Sequence, residues 1–266
     1  MRKLLVFTDI HFTETGQLIG HLDPLSRFQA GLRHALDQFP DAERIIITGD
    51  LTHHGRTAQF QRLRDALHGC PLPVHLMLGN HDTRANFRAV FPDTPVTQDG
   101  FVQQVIDTDD YRLILLDTLD ETHEVPHAGR LCAARLTWLE NALSTAGARR
   151  VIVFTHHPPM DVGFPAMDAI GLSGRDALLT LLQDYSNTCQ IISGHIHRAI
   201  SGAAGRIPTA VFKSTCHQAP MMLADADPHV SVDEPGAYGV LFLGASGVIV
   251  HSEDFDIPGR RALSYA

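Results

Sequence analysis

The chain is poor in cysteine, in positive charge and in long apolar runs, and each shortage excludes a class of protein. Its 266 residues hold four cysteines, Cys70, Cys132, Cys189 and Cys216, widely scattered and with no CxxC pair. That spacing builds neither a disulfide framework nor a thiolate zinc site, so a reducing cytoplasm is the expected location. Lys plus Arg number 21 against 30 Asp plus Glu, a formal charge of −9. A broad nucleic-acid footprint needs a basic face, and no nucleic-acid partner is expected. No apolar run reaches the ~18–20 residues that span a bilayer, so no membrane partner is expected either. The opening segment 1–12 meets Asp9 and His11 at once and lacks a small-residue cleavage site. It reads as a first strand and not as a signal peptide.

Hydrophobic residues make up 44% and charged residues 19%, a soluble, core-forming composition. Five short runs rich in Val, Ile and Leu recur: Leu4–Phe7, Ile45–Thr48, Val74–Leu78, Val151–Thr155 and Gln190–Ser193. They lack strict alternation, as strands buried on both faces do. Between them, apolar residues at helical spacing predict helices over Leu25–Phe39, Thr57–Leu67, Leu131–Leu143 and Asp176–Tyr185. This alternation implies βαβ units and a mainly parallel sheet. Phe101–Ile106 and Tyr111–Leu116 read as a hairpin, and the helical signal disappears after residue 198. There, Ile207–Lys213, Tyr238–Leu243 and Gly247–His251 look like strands, and the proline-bearing stretch Gln218–Gly236 is expected to be a loop or lid. The expected organisation is one α/β domain over 1–266, with residues 198–266 supplying C-terminal strands and a lid or oligomerisation loop.

What the chain has in abundance is histidine, 17 residues, the commonest nitrogen ligand for transition metals. Each buried run leads into residues that can ligate: Thr8-Asp9-Ile10-His11, Gly49-Asp50, Gly79-Asn80-His81-Asp82, His156-His157-Pro158-Pro159 and Gly194-His195-Ile196-His197. Taken singly, each is an ordinary polar strand end or turn. Five together, at the carboxyl ends where open α/β sheets bind ligands, argue for one site. The candidate metal ligands are Asp9, His11, Asp50, Asn80, His156, His195 and His197. A nitrogen–oxygen set without thiolate favours Mn, Fe, Zn or Co over an all-oxygen Ca or Mg cage. Asp50 is the carboxylate to bridge two ions at the usual ~3.5–4 Å separation. Two divalent ions against Asp9, Asp50 and a hydroxide leave roughly +1, so an acidic chain can still receive a phosphate ester. The preceding glycines would let the backbone approach a bound ion closely.

The ordered set DxH, GD, GNHD, HHPP and GHxH resembles the calcineurin-like metallophosphoesterase superfamily, nearest to its class III cyclic nucleotide phosphodiesterases and bacterial glycerophosphodiesterases. The likeness runs from Asp9 to about His217. It implies a four-layer αββα sandwich with mixed sheets. It also implies one ion held by Asp9, His11, Asp50 and His197, and another held by Asp50, Asn80, His156 and His195. His81 looks like the family's phosphate-contacting histidine, which can protonate the leaving oxygen. Ser214-Thr215-Cys216-His217-Gln218 resembles a stretch that brings a further histidine to the pocket, so His217 is a second catalytic candidate. Asn80, His81 and His217 are the candidate substrate-binding residues. One departure concerns the GDxxDRG pattern of protein phosphatases, whose second Asp orients the GNH histidine. Here His53 stands in its place, which argues against a protein phosphatase.

The resemblance implies a dinuclear, metal-dependent phosphodiesterase that attacks small phosphodiesters with a metal-bound hydroxide. Its expected substrates are 3′,5′-cyclic nucleotides or glycerophosphodiesters, and its expected assembly is a homo-oligomer. A DNA nuclease of the same superfamily is disfavoured by the −9 charge. A non-catalytic scaffold on this fold would have lost ligands, and none is missing. Phe12, His21, Phe164, Met221 and Met222 are candidates to wall the substrate pocket, with ordinary packing the competing role. His157 is expected beside the site without coordinating. His34, His68, His75, His123 and His251 are expected at the surface or in satisfied packing.

Overall fold

A computed structural model describes residues 1–122, 124–223 and 230–259. In chain order the elements are β1 (Arg2–Phe7), α1 (Pro24–Gln38), β2 (Arg44–Ile47), α2 (Thr57–Leu67), β3 (Val74–Leu76), α3 (Arg84–Val90), β4 (Gln104–Asp107) and β5 (Tyr111–Leu115). Then follow β6 (Gly129–Arg130), α4 (Ala133–Ser144), β7 (Arg150–Phe154), α5 (Pro165–Ala169), β8 (Leu172–Ser173), α6 (Arg175–Asp184) and β9 (Thr188–Ser193). The chain closes with β10 (Ile200–Ala204), β11 (Ile207–Val211), β12 (Ala237–Gly244) and β13 (Gly247–Asp254). His123 and residues 224–229 and 260–266 lie outside the described residues, so part of the expected lid and of the C-terminal region does too.

The five ligand-bearing runs do not share one sheet, as the alternation had implied. β1, β2 and β3 pair in parallel in a five-stranded sheet of order β13-β12-β1-β2-β3, whose last two strands in sequence run antiparallel. β7 and β9 belong to a six-stranded sheet of order β10-β11-β9-β7-β5-β4. There β5, β7, β9 and β11 are parallel, and both edge strands are antiparallel. The two sheets face each other. Leu4, Val6 and Ile46 of the first sheet pack against Leu113, Leu115, Ile152, Phe154 and Ile192 of the second. The alternate residues Leu5, Phe7, Ile45 and Ile47 turn outward onto Phe28, Leu32, Phe60, Leu63 and Phe87 of α1, α2 and α3. On the far side, Ile114, Val151, Val153 and Ile191 pack on Leu139, Leu143, Leu178 and Leu182 of α4 and α6. The four layers explain why the strands show no polar face: one side meets helices and the other a second sheet.

The helices begin where their chemistry places them. Asp23 caps α1, its carboxylate accepting the Leu25 amide at 3.2 Å and the Ser26 hydroxyl at 2.6 Å, with Pro24 in the first turn. The expected 101–116 hairpin forms as β4 and β5, but β5 is buried along its whole length. The short elements α3, α5, β6, β8 and β10 were not anticipated.

Candidate metal centre

The carboxyl ends of β1, β2, β7 and β9 open onto one rim between the sheets, joined there by the 79–82 turn after β3. Parallel backbone contacts continue past the strands: the Asp9 amide donates to Gly49 O at 3.1 Å and the His11 amide to Asp50 O at 2.9 Å. The second sheet is clipped on by the His195 amide, which donates to both Asp9 carboxylate oxygens at 3.1 and 3.0 Å. The Ser214 hydroxyl donates to Asp9 O at 2.6 Å. Close approach is obligatory here: a Cβ on Gly194 would overlap Thr8 Oγ1, and one on Gly79 would overlap Asp50 Oδ1.

All seven candidate ligands converge. Ligand atoms of Asp9, His11, Asp50 and His197 lie within 4.8 Å of one another. His11 Nε2 is 3.0 Å from His197 Nε2 and 3.6 Å from Asp50 Oδ2. On the other flank, His156 Nε2 is 3.1 Å from Asn80 Oδ1 and 3.4 Å from Asp50 Oδ2. Asp50 thus stands between the two groups, its Oδ1 taking the His81 amide at 2.8 Å and its Oδ2 facing imidazoles on both sides. His195 Nε2 is buried with no hydrogen-bond partner. A buried imidazole nitrogen left without a partner is costly, and a cation would satisfy it. The donor set fits a pair of borderline transition-metal ions.

Backbone carbonyls orient two of the rings. His156 Nδ1–H donates to Thr48 O at 3.1 Å and His197 Nδ1–H to His217 O at 2.8 Å, so that each turns its Nε2 toward the centre. His81 Nδ1–H donates to His53 O at 2.9 Å, so the orienting partner missing from the sequence is a main-chain group. Burial holds His11 and His195 well below the usual imidazole range. Burial also opposes charge on His156, but Asp50 overrides it and pushes His156 up to about 9. Asp50 is itself buried, yet His156 and His81 hold it well below the carboxylate range. Asp82 ties the two loops beneath, accepting from Leu51 N, Thr52 N, Thr52 Oγ1 and Gly79 N at 2.7–3.0 Å.

A cavity of about 360 Å³ opens above these groups. His81 and His217 both line it, and His217 Nδ1 is buried without a partner. The lining also includes the apolar side chains of Met167, Ile170, Ile196, Met222 and Val230, of which Met167, Ile196 and Met222 pack in one cluster. Of the five wall candidates, Met222 alone is among its lining residues. Phe12 is core, edge-on to Phe28 at 5.5 Å, because its amide bonds to Leu51 O and turns the ring inward. Phe164 is buried in a cluster with Ile196, Val211 and Met222. Met221 is exposed, and His21 pairs with Asp233 at 2.8 Å. His157 sits in the cluster with His156 and His195, but Thr118 Oγ1 at 2.9 Å and His127 O at 3.1 Å occupy its two nitrogens. Both of its nitrogens thus have protein partners. His34 meets Tyr238 Oη and His75 meets Gln104, the satisfied packing expected of them.

Sequence reading missed His127. It lines the cavity, its ring is 5.0 Å from His81, and Asn80 Nδ2 lies 3.1 Å from its Nδ1. No strand-end motif announces it; its positive φ of 65° is a structural signal only.

A two-sheet sandwich with a carboxylate shared by two imidazole groups defines the dinuclear metallohydrolase class. The chain belongs to the calcineurin-like phosphoesterase family, which it matches over residues 2–199, and it is a metal-dependent phosphodiesterase of that dinuclear class. It is 37% identical over 259 residues to the "probable cyclic nucleotide phosphodiesterase" of Rhodopseudomonas palustris, covering 97% of this chain and 94% of that one. It is 30% identical over 237 residues to the glycerophosphodiester phosphodiesterase GpdQ of Enterobacter lignolyticus, covering 88% and 79%. Among solved structures, a dimetal phosphatase of Danio rerio superposes with a TM-score of 0.71 at 16% identity, covering 95% of this chain and 96% of that one. That likeness shows the fold alone.

Proposed function

We propose that this chain hydrolyses 3′,5′-cyclic nucleotides at a pair of divalent transition-metal ions, Mn, Fe, Zn or Co. Asp9, His11, Asp50 and His197 would hold one ion, and Asp50, Asn80, His156 and His195 the other. The observation that carries the reading is a single cavity lined both by the imidazoles and carboxylate of the candidate centre and by a set of apolar side chains. Ions held at that centre would polarise phosphoryl oxygens and acidify water. Met167, Ile170, Ile196 and Met222 offer a nucleobase an apolar, polarisable face.

His81 has its Nδ1 proton committed to His53 O. Its Nε2 is the nitrogen that, when protonated, delivers a proton to the departing alkoxide. His217 lines the cavity, and its ring lies 4.5 Å from that of His197, which supports a role in holding a phosphoryl oxygen. Glycerophosphodiesters are the second reading, supported by the resemblance to GpdQ.

The deciding experiment is a chelation-sensitive assay on cyclic AMP, glycerophosphoethanolamine and bis-p-nitrophenyl phosphate with manganese, cobalt or zinc. Cyclic AMP is expected to be preferred over glycerophosphoethanolamine. His81→Ala should slow cyclic AMP turnover far more than nitrophenyl diester turnover, since only the former has a poor leaving group. Equal losses would remove His81 as the acid, and no turnover of any diester would end the reading.

The proposal includes a cytoplasmic homo-oligomer. No described helix is long and apolar enough to cross a membrane. The edge strand β13, with Ile249 exposed, supports an interface there. Sedimentation as a monomer would end that part.

A further inference from the structure

His53 stands where protein phosphatases have the Asp that orients the GNH histidine, yet its ring points at a different partner. His53 Nδ1 lies 3.3 Å from His11 Nδ1. His11 is buried, and its Nε2 faces His197 Nε2 and Asp50 Oδ2. For that nitrogen to offer a lone pair to a cation, the ring proton must sit on Nδ1, and a buried N–H needs an acceptor. The corresponding protons of His156 and His197 go to main-chain carbonyls. His11 is different, because the partner within reach of its Nδ1 is a side chain.

We propose that His53 is a positioning residue whose Nδ1 accepts the His11 Nδ1 proton and so fixes the ligating tautomer and ring plane of His11. The inference rests on the metal-centre reading above and not on the choice of substrate. The His53 ring is itself held: it stacks on His81 at 5.6 Å with an interplanar angle of 12°, and packs against His54 at 4.5 Å. Its main chain does a second, separable task, because its carbonyl accepts the His81 Nδ1 proton. A substitution at residue 53 removes the first function and keeps the second. That separation makes the inference testable.

Metal-free wild type, His53→Leu and His53→Asn would be titrated with Co²⁺ against a competing chelator, recording the ligand-field spectrum. Asn places its Oδ1 where the histidine Nδ1 stands and restores an acceptor; Leu does not. Loss of an outer hydrogen-bond partner of a ligating histidine costs 10–100-fold in metal affinity. His53→Leu is therefore expected to bind cobalt about 10–100-fold more weakly with a shifted spectrum, and His53→Asn to return to within a few fold of wild type. His53→Ala repeats the comparison without the added branched side chain, should Leu impair folding. Wild-type affinity in both apolar variants would overturn the proposal, as would equal losses in Leu, Ala and Asn, which would mark a packing role. Cobalt binding that depends on His53, in a protein that hydrolyses no cyclic AMP, would refute the proposed substrate and leave this inference standing. Wild-type protein that binds no cobalt would instead sink the metal-centre reading on which it rests.

Discussion

Gly79→Ala tests whether backbone proximity builds the centre. Gly79 has no unusual φ to relieve, so the perturbation is purely steric. Its new methyl would overlap Asp50 Oδ1 and the Asp50 amide nitrogen, and would stand 2.7 Å from His156 Cε1, where ordinary contact begins at 3.4 Å. The His156 ring must retreat by about 0.7 Å and Asp50 by roughly an ångström, yet both belong to tightly packed loops. Overpacking of this kind costs about 1–3 kcal/mol, or a fall in thermal midpoint of about 2–12 °C for a chain of this size class. The functional loss should be larger than the loss of stability suggests, because both displaced groups are candidate ligands. A 1 Å misplacement at a reacting centre can cost about 10²-fold, so kcat/KM on bis-p-nitrophenyl phosphate is expected to fall by that order. Elemental analysis should show reduced occupancy at the Asn80–His156–His195 site. A folded variant with wild-type metal content and activity within a few fold would refute the claim that Gly79 sets the position of Asp50.

Metal removal should destabilise the fold. Each ion at a free concentration of 100 Kd adds about 2.7 kcal/mol, which corresponds to about 5–10 °C by calorimetry; a midpoint indifferent to chelator and to added manganese, cobalt or zinc contradicts it. Loading should also release protons: His156, raised to about 9 in the metal-free protein, is protonated at pH 7 and must lose that proton to ligate. Metal affinity should thus weaken as pH falls, and titration calorimetry in buffers of different ionisation enthalpy should reveal about one proton per chain from this residue; no buffer dependence would exclude it. At the surface, the Arg56 hydrogen bond holds Glu14 down from 4.5 to about 2. Its contribution is present above pH 4.5 and disappears as pH falls through about 2. Glu14→Gln should cost about 0.2–1 kcal/mol at pH 7 and progressively less below pH 4.5; a constant gap in urea unfolding across that range would reject the assignment.

The convergence of the candidate ligands was legible because of the sandwich itself. Parallel strands buried on both faces read as short apolar runs, and the abrupt change to Asp, Asn and His marks their carboxyl ends. The division of those runs between two sheets was not legible. Leu4 and Val6 meet a sheet while Leu5 and Phe7 meet helices, and an apolar side chain looks alike in both settings. α3 and α5, of seven and five residues, are too short for helical periodicity to show. Phe12 misled because it follows His11 at the rim, and only the amide bond to Leu51 O reveals that its ring turns inward. The absent acid at position 53 misled differently: a main-chain carbonyl leaves no trace in a sequence.

The backbone gives independent support for the convergence. Asp9, His11, Asp50, His195 and His197 all have φ between 46° and 70°, the left-handed region. Among the described non-glycine residues with positive φ, only Asp256 lies away from the site or its cavity. For an L-residue this region costs roughly 1–2 kcal/mol, so five such residues store an amount comparable to the net stability of a typical domain. Strain on that scale persists only where surrounding structure over-determines it. Here the constraints are the amide bonds from Asp9 to Gly49 O, His11 to Asp50 O and His195 to Asp9, set between two apolar layers. Hydrophobic packing alone would be served as well by relaxed loops. Aiming two carboxylates and several imidazoles at one point requires the chain to turn sharply at each ligand. A pair of ions bound there, one on the side of His11 and His197 and one on the side of His195, would satisfy the unpartnered His195 Nε2, so the same five turns that weaken the metal-free chain would strengthen the loaded one.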